Sequence, residues 1–135
     1  MSEPHENLEI VFVAWLEAIR RGELDEAAAR LGPEVTWQGV EPHLRCEDRD
    51  QVMDVLRARI EAGTPRVERL ELEAAGDRVL LGIAGPDFDS IGDVPLSGEV
   101  FLVFTLRAGR IIGVHDYRAR EEARRAAGLV AASGD

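Results

Sequence analysis

Residues 100–117 read VFLVFTLRAGRIIGVHDY, and the expected architecture follows from them. Apolar segments at 100–106 and 111–117 have the composition of strands. Between them lies Ala108-Gly109, a pair of small residues that suits a tight two-residue turn. The sequence therefore predicts an antiparallel hairpin of two long apolar strands.

A two-residue turn also predicts which side chains share a face of this hairpin. It places Asp116 opposite Phe101 and Val114 opposite Val103. Asp116 then ends a face that is otherwise apolar. Because neighbouring residues of a strand point to opposite faces, His115 is expected on the other side.

The opposite face of the hairpin is predicted to be apolar as well. Besides His115 it is expected to carry Val100, Leu102, Phe104, Leu106, Ile111, Gly113 and Tyr117. The helices of the chain cover one face of such a sheet, and a second copy of the chain is the simplest cover for the other. We therefore predict a homodimer that forms through the sheet.

Helices are predicted before the sheet. Apolar residues at helical spacing indicate a first helix over residues 5–21, with Gly22 as its left-handed cap, and a second over Glu23–Arg30. Asp48, followed three residues later by Gln51, predicts the N-terminus of a third helix. The buried stripe of this third helix is expected to be Val52, Val55, Leu56 and Ile60.

Strands dominate the second half of the chain. Residues 70–74 alternate between apolar and acidic, and the turn at Gly76-Asp77 leads into an apolar run over 79–84. An exposed loop is expected over 86–98. The remaining expected elements are a short strand at Val35–Gln38 and a closing helix over 119–127. This order predicts one α+β domain over residues 1–135.

The charge balance excludes several functions. All 16 basic residues are arginine, against 26 acidic residues, and the net charge is −10. Without lysine there is no Schiff-base chemistry, and an acidic chain is unsuited to nucleic acid or anionic lipid. Cys46 is the single cysteine, so the fold needs no oxidising compartment. We expect no secretion signal and no membrane span, and hence a cytoplasmic protein.

Asp116 is the main candidate for chemistry. A carboxylate among apolar side chains has a raised pKa, as a general acid or base at neutral pH requires. The alternative is that Asp116 caps the closing helix or pairs with Arg118 or Arg120.

Three other residues could take part in chemistry beside Asp116. His43 lies in a loop near Trp37 and is either a second catalytic group or a solvated histidine. His115 is more suited to packing or to an interface. Cys46 is either an activated thiol or a small buried side chain.

No metal site or cofactor is predicted. Asp87, Asp89, Gly92 and Asp93 resemble the beginning of a calcium loop. However, Ile91 stands at its fifth position, and Gly98 stands at the twelfth in place of a bidentate glutamate.

Three features together resemble the SnoaL-like branch of the nuclear transport factor two-like superfamily. They are the order of elements, the segment Val35–Gly39, and the ending AGRIIGVHDY at 108–117. This resemblance implies a cone-shaped α+β barrel, with three N-terminal helices packed on a curved, mostly antiparallel sheet, and frequent dimerisation. It also implies an apolar pocket, and Asp116 resembles the aspartate that faces the pocket in several enzymes of the superfamily.

The superfamily includes isomerases, cyclases and hydrolases as well as members without known activity, so the resemblance leaves the reaction open. Our leading hypothesis is a pocket for a small apolar molecule with Asp116 as its central polar group. The side chains expected to line this pocket are Trp15, Trp37, Phe101, Val103 and Val114. The alternatives are a cofactor-independent isomerase, cyclase or hydrolase that uses Asp116 and His43, and a dimeric interaction module without a ligand.

Overall fold

The computed structural model describes residues 4–63, 66–88, 90–91 and 94–129. The helices are α1 (Pro4–Glu9), a π-helical segment (Ile10–Glu17), α2 (Ala18–Arg20), α3 (Leu24–Ala29), α4 (Arg49–Glu61) and α5 (Arg120–Ala126). The strands are β1 (Leu31–Gln38), β2 (Arg45–Cys46), β3 (Arg69–Ala75), β4 (Arg78–Ala84), β5 (Ser90–Ile91), β6 (Val94–Pro95), β7 (Glu99–Arg107) and β8 (Arg110–Tyr117). The described chain contains no helix that is long and apolar enough to span a membrane.

Six strands form one mixed sheet in the order β2-β1-β8-β7-β4-β3. All neighbouring pairs are antiparallel except β1 and β8, which are parallel. Helices α1 to α4 precede or interrupt the strands and pack on one face, which we call the inner face. The predicted α+β fold, with N-terminal helices on a mostly antiparallel sheet, is confirmed.

The first predicted helix is present but is not α-helical throughout. Its middle, the π-helical segment, has the wider i→i+5 hydrogen-bonding pattern. Val11 and Trp15 from this segment are buried against the sheet. Gly22, which has a φ of 77°, follows the helix in the left-handed conformation that the sequence predicts for its cap.

β1 begins earlier than predicted. Gly32 and Pro33 suggest a break, yet both lie inside this strand. The pairing of β1 with β8 is irregular between Leu31 and Thr36. Pro33 lies in this irregular part, where a residue without an N–H group costs the sheet no regular hydrogen bond.

The hairpin of β7 and β8 has the predicted turn but not the predicted register. Ala108 and Gly109 have φ angles of 51° and 79°, as a two-residue primed turn requires. Ile112 then forms a bulge, because Thr105 pairs with Gly113 while Leu106 pairs with Ile111. From Gly113 to the end of β8, every pair is displaced by one residue from the predicted register.

This displacement changes the face on which the predicted pocket residues lie. Asp116 is opposite Leu102, not Phe101, and Val114 is opposite Phe104. A shift of one residue moves every side chain of the partner strand to the other face. The expectation that Phe101 and Val103 share a face with Asp116 is therefore wrong.

The second face of the sheet, which we call the outer face, is partly covered by α5. Ala123 of this helix is buried against Phe101 and Val103, together with Ala127 just beyond the helix. The expectation that helices cover only one face is wrong, because the small alanines let α5 approach the sheet closely. Five residues that were predicted for the outer face lie on the inner face instead: Val100, Leu102, Phe104, Leu106 and Ile111.

The N-terminus of α4 is capped as predicted. The backbone N–H of Gln51 donates to Asp48 Oδ1 at 3.0 Å, and Gln51 Oε1 accepts from the backbone N–H of Glu47 at 2.7 Å. The buried stripe differs from the prediction, because Val52 and Met53 are buried while Leu56 and Ile60 are only half-buried. Met53 is 3% exposed and Val55 is 42% exposed, because the helix is rotated so that Met53 faces the sheet.

Replacing Asp48 by alanine is expected to lower the free energy of unfolding by about 1 kcal/mol, the usual cost of losing an N-cap. Asp50→Ala is the matched control, since Asp50 lies in the first turn of the same helix without the capping bond. Urea denaturation measures both. Equal losses in the two variants would contradict the role of Asp48.

The predicted exposed loop over 86–98 contains the short hairpin of β5 and β6. Asp89, Gly92 and Asp93, which gave the loop its likeness to a calcium site, lie outside the described residues.

Candidate functional site

Asp116 lies near the C-terminal end of β8 and is only 7% exposed. Its side chain is on the inner face, where the indole Nε1–H of Trp37 donates to Asp116 Oδ1 at 2.9 Å. The other buried polar residue of the described chain is Asn7, whose Nδ2 donates to the carbonyl of Gly76 at 3.3 Å. Gly76 lies in the β3–β4 turn, at the opposite end of the sheet. Among the described residues, Asp116 is therefore the buried polar side chain at its end of the sheet.

Burial raises the pKa of Asp116 to about 7. The hydrogen bond from Trp37 and the positive charge of Arg59 lower the pKa, but by less than burial raises it. A carboxyl group with this pKa is divided between its acid and its carboxylate near neutral pH. It can therefore donate or accept a proton under ordinary conditions.

A cluster of aromatic side chains centred on Trp37 lies beside this carboxyl group. The rings of Trp15 and Trp37 have centroids 6.2 Å apart and are tilted by 45°. The ring of Phe104 meets Trp37 edge-on, also at 6.2 Å. Val114 precedes Asp116 by two residues on β8, is buried, and pairs with Trp37 across the parallel strands. Trp15, Trp37 and Val114 are therefore brought together with Asp116.

Phe104 belongs to this cluster and was not predicted for it. It is fully buried and lies opposite Val114. A correct register for the hairpin would have placed it there. Phe101 and Val103 are on the outer face instead, where the guanidinium of Arg120 lies 6.0 Å from the ring of Phe101.

The structure does not use Asp116 as a helix cap. Helix α5 has Ala119 at its N-cap, without a side-chain bond. Arg118 pairs with Glu41 at 2.8 Å, and Arg120 pairs with Glu71 at 2.6 Å. Both alternative roles of Asp116 are thereby excluded.

The loop between β1 and β2 lies next to the end of β8. The ion pair of Arg118 with Glu41 joins the two, and Gln38 Nε2 donates to the carbonyl of Glu41 at 3.0 Å. His43 is exposed on this loop. The structure therefore places His43 at the surface, on the loop that adjoins the Asp116 end of the sheet.

Cys46 lies opposite Trp37 and is half-buried. Burial raises the pKa of its thiol, and the charge of Arg59 opposes this rise. A thiol with a raised pKa is less ionised at neutral pH than a free cysteine. Its environment is that of a small buried side chain, not of an activated nucleophile.

His115 lies on the outer face, where its ring stacks on Tyr117 with centroids 4.4 Å apart. Burial, and to a smaller extent the charge of Arg45, lower the pKa of His115. The prediction that His115 and Asp116 do not act on the same substrate agrees with this placement. Within the described part of the chain, no group of three or more His, Cys, Asp or Glu is arranged to hold a metal ion.

Protonation of Asp116 is expected to be visible in the fluorescence of the chain. Both tryptophans of the sequence lie at this site, and a charge beside the indole of Trp37 changes its electrostatic environment. The emission should titrate with a midpoint near pH 7 in the wild type. It should lose this step in Asp116→Asn and keep it in Asp54→Asn, whose carboxyl is 78% exposed. An unchanged step in Asp116→Asn would refute the assignment.

These helices and the curved mixed sheet have the nuclear transport factor two-like fold. Many solved structures share it, while no protein-family model and no curated protein matches the chain.

Three solved structures illustrate the likeness. A candidate polyketide cyclase from Xanthomonas campestris pv. campestris is 21% identical, with a TM-score of 0.67 over 90% of this chain and 96% of the other. A nuclear transport factor two-like protein from Burkholderia xenovorans is 20% identical, with a TM-score of 0.65 over 93% and 98%. An LEH-like epoxide hydrolase from M. tuberculosis is 22% identical, with a TM-score of 0.63 over 93% and 92%. At these identities the likeness establishes the fold and not the activity.

Proposed function

We propose that the chain binds a small, mostly apolar molecule on the inner face of the sheet, with Asp116 as the polar group that orients it. The single observation that carries this proposal is a buried carboxyl group, bonded to Trp37 of an aromatic cluster, whose pKa is about 7. Ligand sites commonly combine apolar side chains with a few placed polar groups.

The hydrogen bond from Trp37 supports this role. Among the described residues, Trp37 is the one that donates a hydrogen bond to Asp116, and it does so to Oδ1. Oδ2 is therefore the atom that a ligand would meet. When protonated, the carboxyl donates to a carbonyl or epoxide oxygen. When ionised, it accepts from a hydroxyl or an enol.

We place the entrance for the ligand at the loop between β1 and β2. This loop adjoins the end of β8 through the ion pair of Glu41 with Arg118. It also carries His43, which is exposed there.

Acid–base catalysis is the second candidate, and the pKa of Asp116 favours it. A group that titrates near the working pH is an efficient proton donor or acceptor. Two of the structures with this fold are a candidate polyketide cyclase and an epoxide hydrolase. For this chain the corresponding chemistry is an isomerase, cyclase or hydrolase reaction without a cofactor. The described site offers Asp116 no second acid or base within hydrogen-bonding distance, and binding is therefore placed first.

Titration with a panel of apolar ketones and epoxides tests both candidates. We expect a saturable change in tryptophan emission for at least one compound, weakened roughly tenfold or more in Asp116→Asn, because the ligand loses its hydrogen-bonding partner. Product analysis by chromatography separates catalysis from binding. Absence of any saturable change would overturn the proposal, as would equal affinity in the variant.

The homodimer through the sheet stays a prediction. Its premise was an apolar outer face, and α5 covers part of that face. Sedimentation velocity at micromolar concentration tests it, and a monomer would contradict it.

A further inference from the structure

The outer face of the sheet holds an open cavity of about 260 Å³. It extends over β1, β8 and β7 and is bordered by Ala126 at the end of α5. Gly113 forms its floor. In the strand register Gly113 lies between Thr36 and Thr105, so a position without a side chain is flanked by two positions that have one. Because Gly113 has no side chain, it leaves open the space that forms the cavity.

Most side chains around the floor are polar and carry hydrogen-bond donors, while Val103 and Ala126 add apolar surface. Gln38 lies between Arg45 and His115 in one row across the sheet. In the next row, Thr105 lies beside Arg78. No carboxylate is present among the described residues that line the cavity, although the chain has 26 acidic residues and a net charge of −10. The charged groups that line the cavity are therefore the guanidinium groups of Arg45 and Arg78, each of which also pairs with a carboxylate outside the lining, Glu47 or Asp77.

Both guanidinium groups are held in place and retain free donors. Arg78 Nη1 donates to the carbonyl of Ala126 at 2.7 Å, and its buried Nε makes no hydrogen bond, lying 3.6 Å from Asp77 Oδ1. Arg45 donates from Nη1 to Gln38 at 3.1 Å and from Nε to Glu47 at 2.7 Å. Each guanidinium has five N–H donors, so these contacts leave several available.

His115 and Tyr117 add an aromatic surface to the cavity. Their rings stack at 4.4 Å with an angle of 16° between the planes. Burial lowers the pKa of His115, and the guanidinium groups of Arg45 and Arg78 supply the charged donors of the cavity. An aromatic surface beside guanidinium groups suits a ring that carries an anionic group.

We propose that this cavity binds a small organic oxyanion, a carboxylate or phosphate monoester on a compact ring, with Arg45 and Arg78 as donors and Gly113 providing the space. Its volume is slightly below the 300–1,000 Å³ typical of drug-sized ligands, so the ligand is correspondingly small. The site lies on the opposite face from Asp116 and does not depend on the function proposed there.

Benzoate and phenyl phosphate are the probes, with benzyl alcohol as the neutral control. Binding is measured at pH 7 by calorimetry and by NMR of the imidazole of His115, whose signal is identified by its loss in His115→Gln. We expect saturable millimolar binding of at least one anion, with a shift of the His115 signal, and none of benzyl alcohol. The preferred anion identifies the oxyanion that the site takes.

Two variants locate the binding. Gly113→Val fills the floor with a residue that strands accept, and should abolish binding. Arg78→Gln should weaken it about tenfold through the loss of a charge-assisted hydrogen bond. Arg110→Gln, at the other end of β8 and outside the cavity, should leave it unchanged. Circular dichroism checks folding, and Gly113→Ala replaces the valine variant if that variant does not fold, since the added Cβ meets its nearest neighbours at 3.9 and 4.0 Å.

Three results would overturn the proposal. The first is the absence of saturable anion binding, including the case in which a second copy of the chain covers this face. The second is unchanged affinity in both the Gly113 and Arg78 variants. The third is equal affinity for benzoate and benzyl alcohol.

Discussion

Asp116→Asn is expected to raise the free energy of unfolding by about 4 kcal/mol at pH 9 and to change it little at pH 4. The pKa of Asp116 is about 7 in the folded chain, against an ordinary value of 3.8. The folded chain therefore binds this proton more tightly than the unfolded chain does. The contribution to stability is fully present below about pH 4 and is lost as the pH rises through about 7. Each pKa unit corresponds to about 1.4 kcal/mol.

Asparagine resembles the protonated aspartate and does not ionise, so the free energy of unfolding of the variant does not fall as the pH rises through 7. Urea denaturation at several pH values measures the effect, and thermal denaturation at pH 9 should show a Tm higher by roughly 14 °C. Asp54→Asn, with its exposed carboxyl, should change stability by less than about 0.5 kcal/mol at either pH. Parallel pH profiles for wild type and Asp116→Asn would show that Asp116 does not titrate near neutral pH.

Trp37→Phe is expected to cost about 3 kcal/mol at pH 9 and about 1 kcal/mol at pH 4. At high pH the ionised Asp116 loses the indole N–H that donates to it, and a hydrogen bond to a charged group contributes about 1.5–3 kcal/mol. The smaller ring adds a cost that does not depend on pH. The same loss should raise the pKa of Asp116 further, because Trp37 favours the carboxylate.

Trp15→Phe is the matched control for this variant. It makes the same change of ring in the same aromatic cluster but leaves the hydrogen bond to Asp116 in place. Its cost should therefore be similar at pH 4 and pH 9. A pH-independent cost in Trp37→Phe as well would mean that the hydrogen bond does not stabilise the carboxylate.

The sequence predicted those parts of the fold that short-range chemistry determines. Gly109 specified the turn because its position needs a positive φ, which Ala108 also adopts, and Asp48 with Gln51 specified the start of α4 because their side chains satisfy backbone groups nearby. Asp116 was identified because a carboxylate on an apolar strand is unusual. The structure confirms its burial and brings Trp37 to it.

The features that the sequence did not predict depend on the pairing of residues that are distant in the chain. The bulge at Ile112 has no marker in the sequence, since isoleucine suits a regular strand equally well. Because of this bulge, Leu102 and Phe104 lie on the inner face, where Phe101 and Val103 were predicted. The outer cavity was missed for the same reason, because it requires the correct register on both sides of Gly113.

The bulge at Ile112 makes the number of residues in this hairpin as important as their identity. Deleting one residue between the turn and Gly113 would restore a regular ladder. Each side chain at the end of β8 would then move to the opposite face of the sheet. The carboxyl of Asp116 would then face α5, and the imidazole of His115 would enter the core. Over evolutionary time, substitutions in this segment can adjust either face, whereas insertions and deletions would exchange the two faces in a single step.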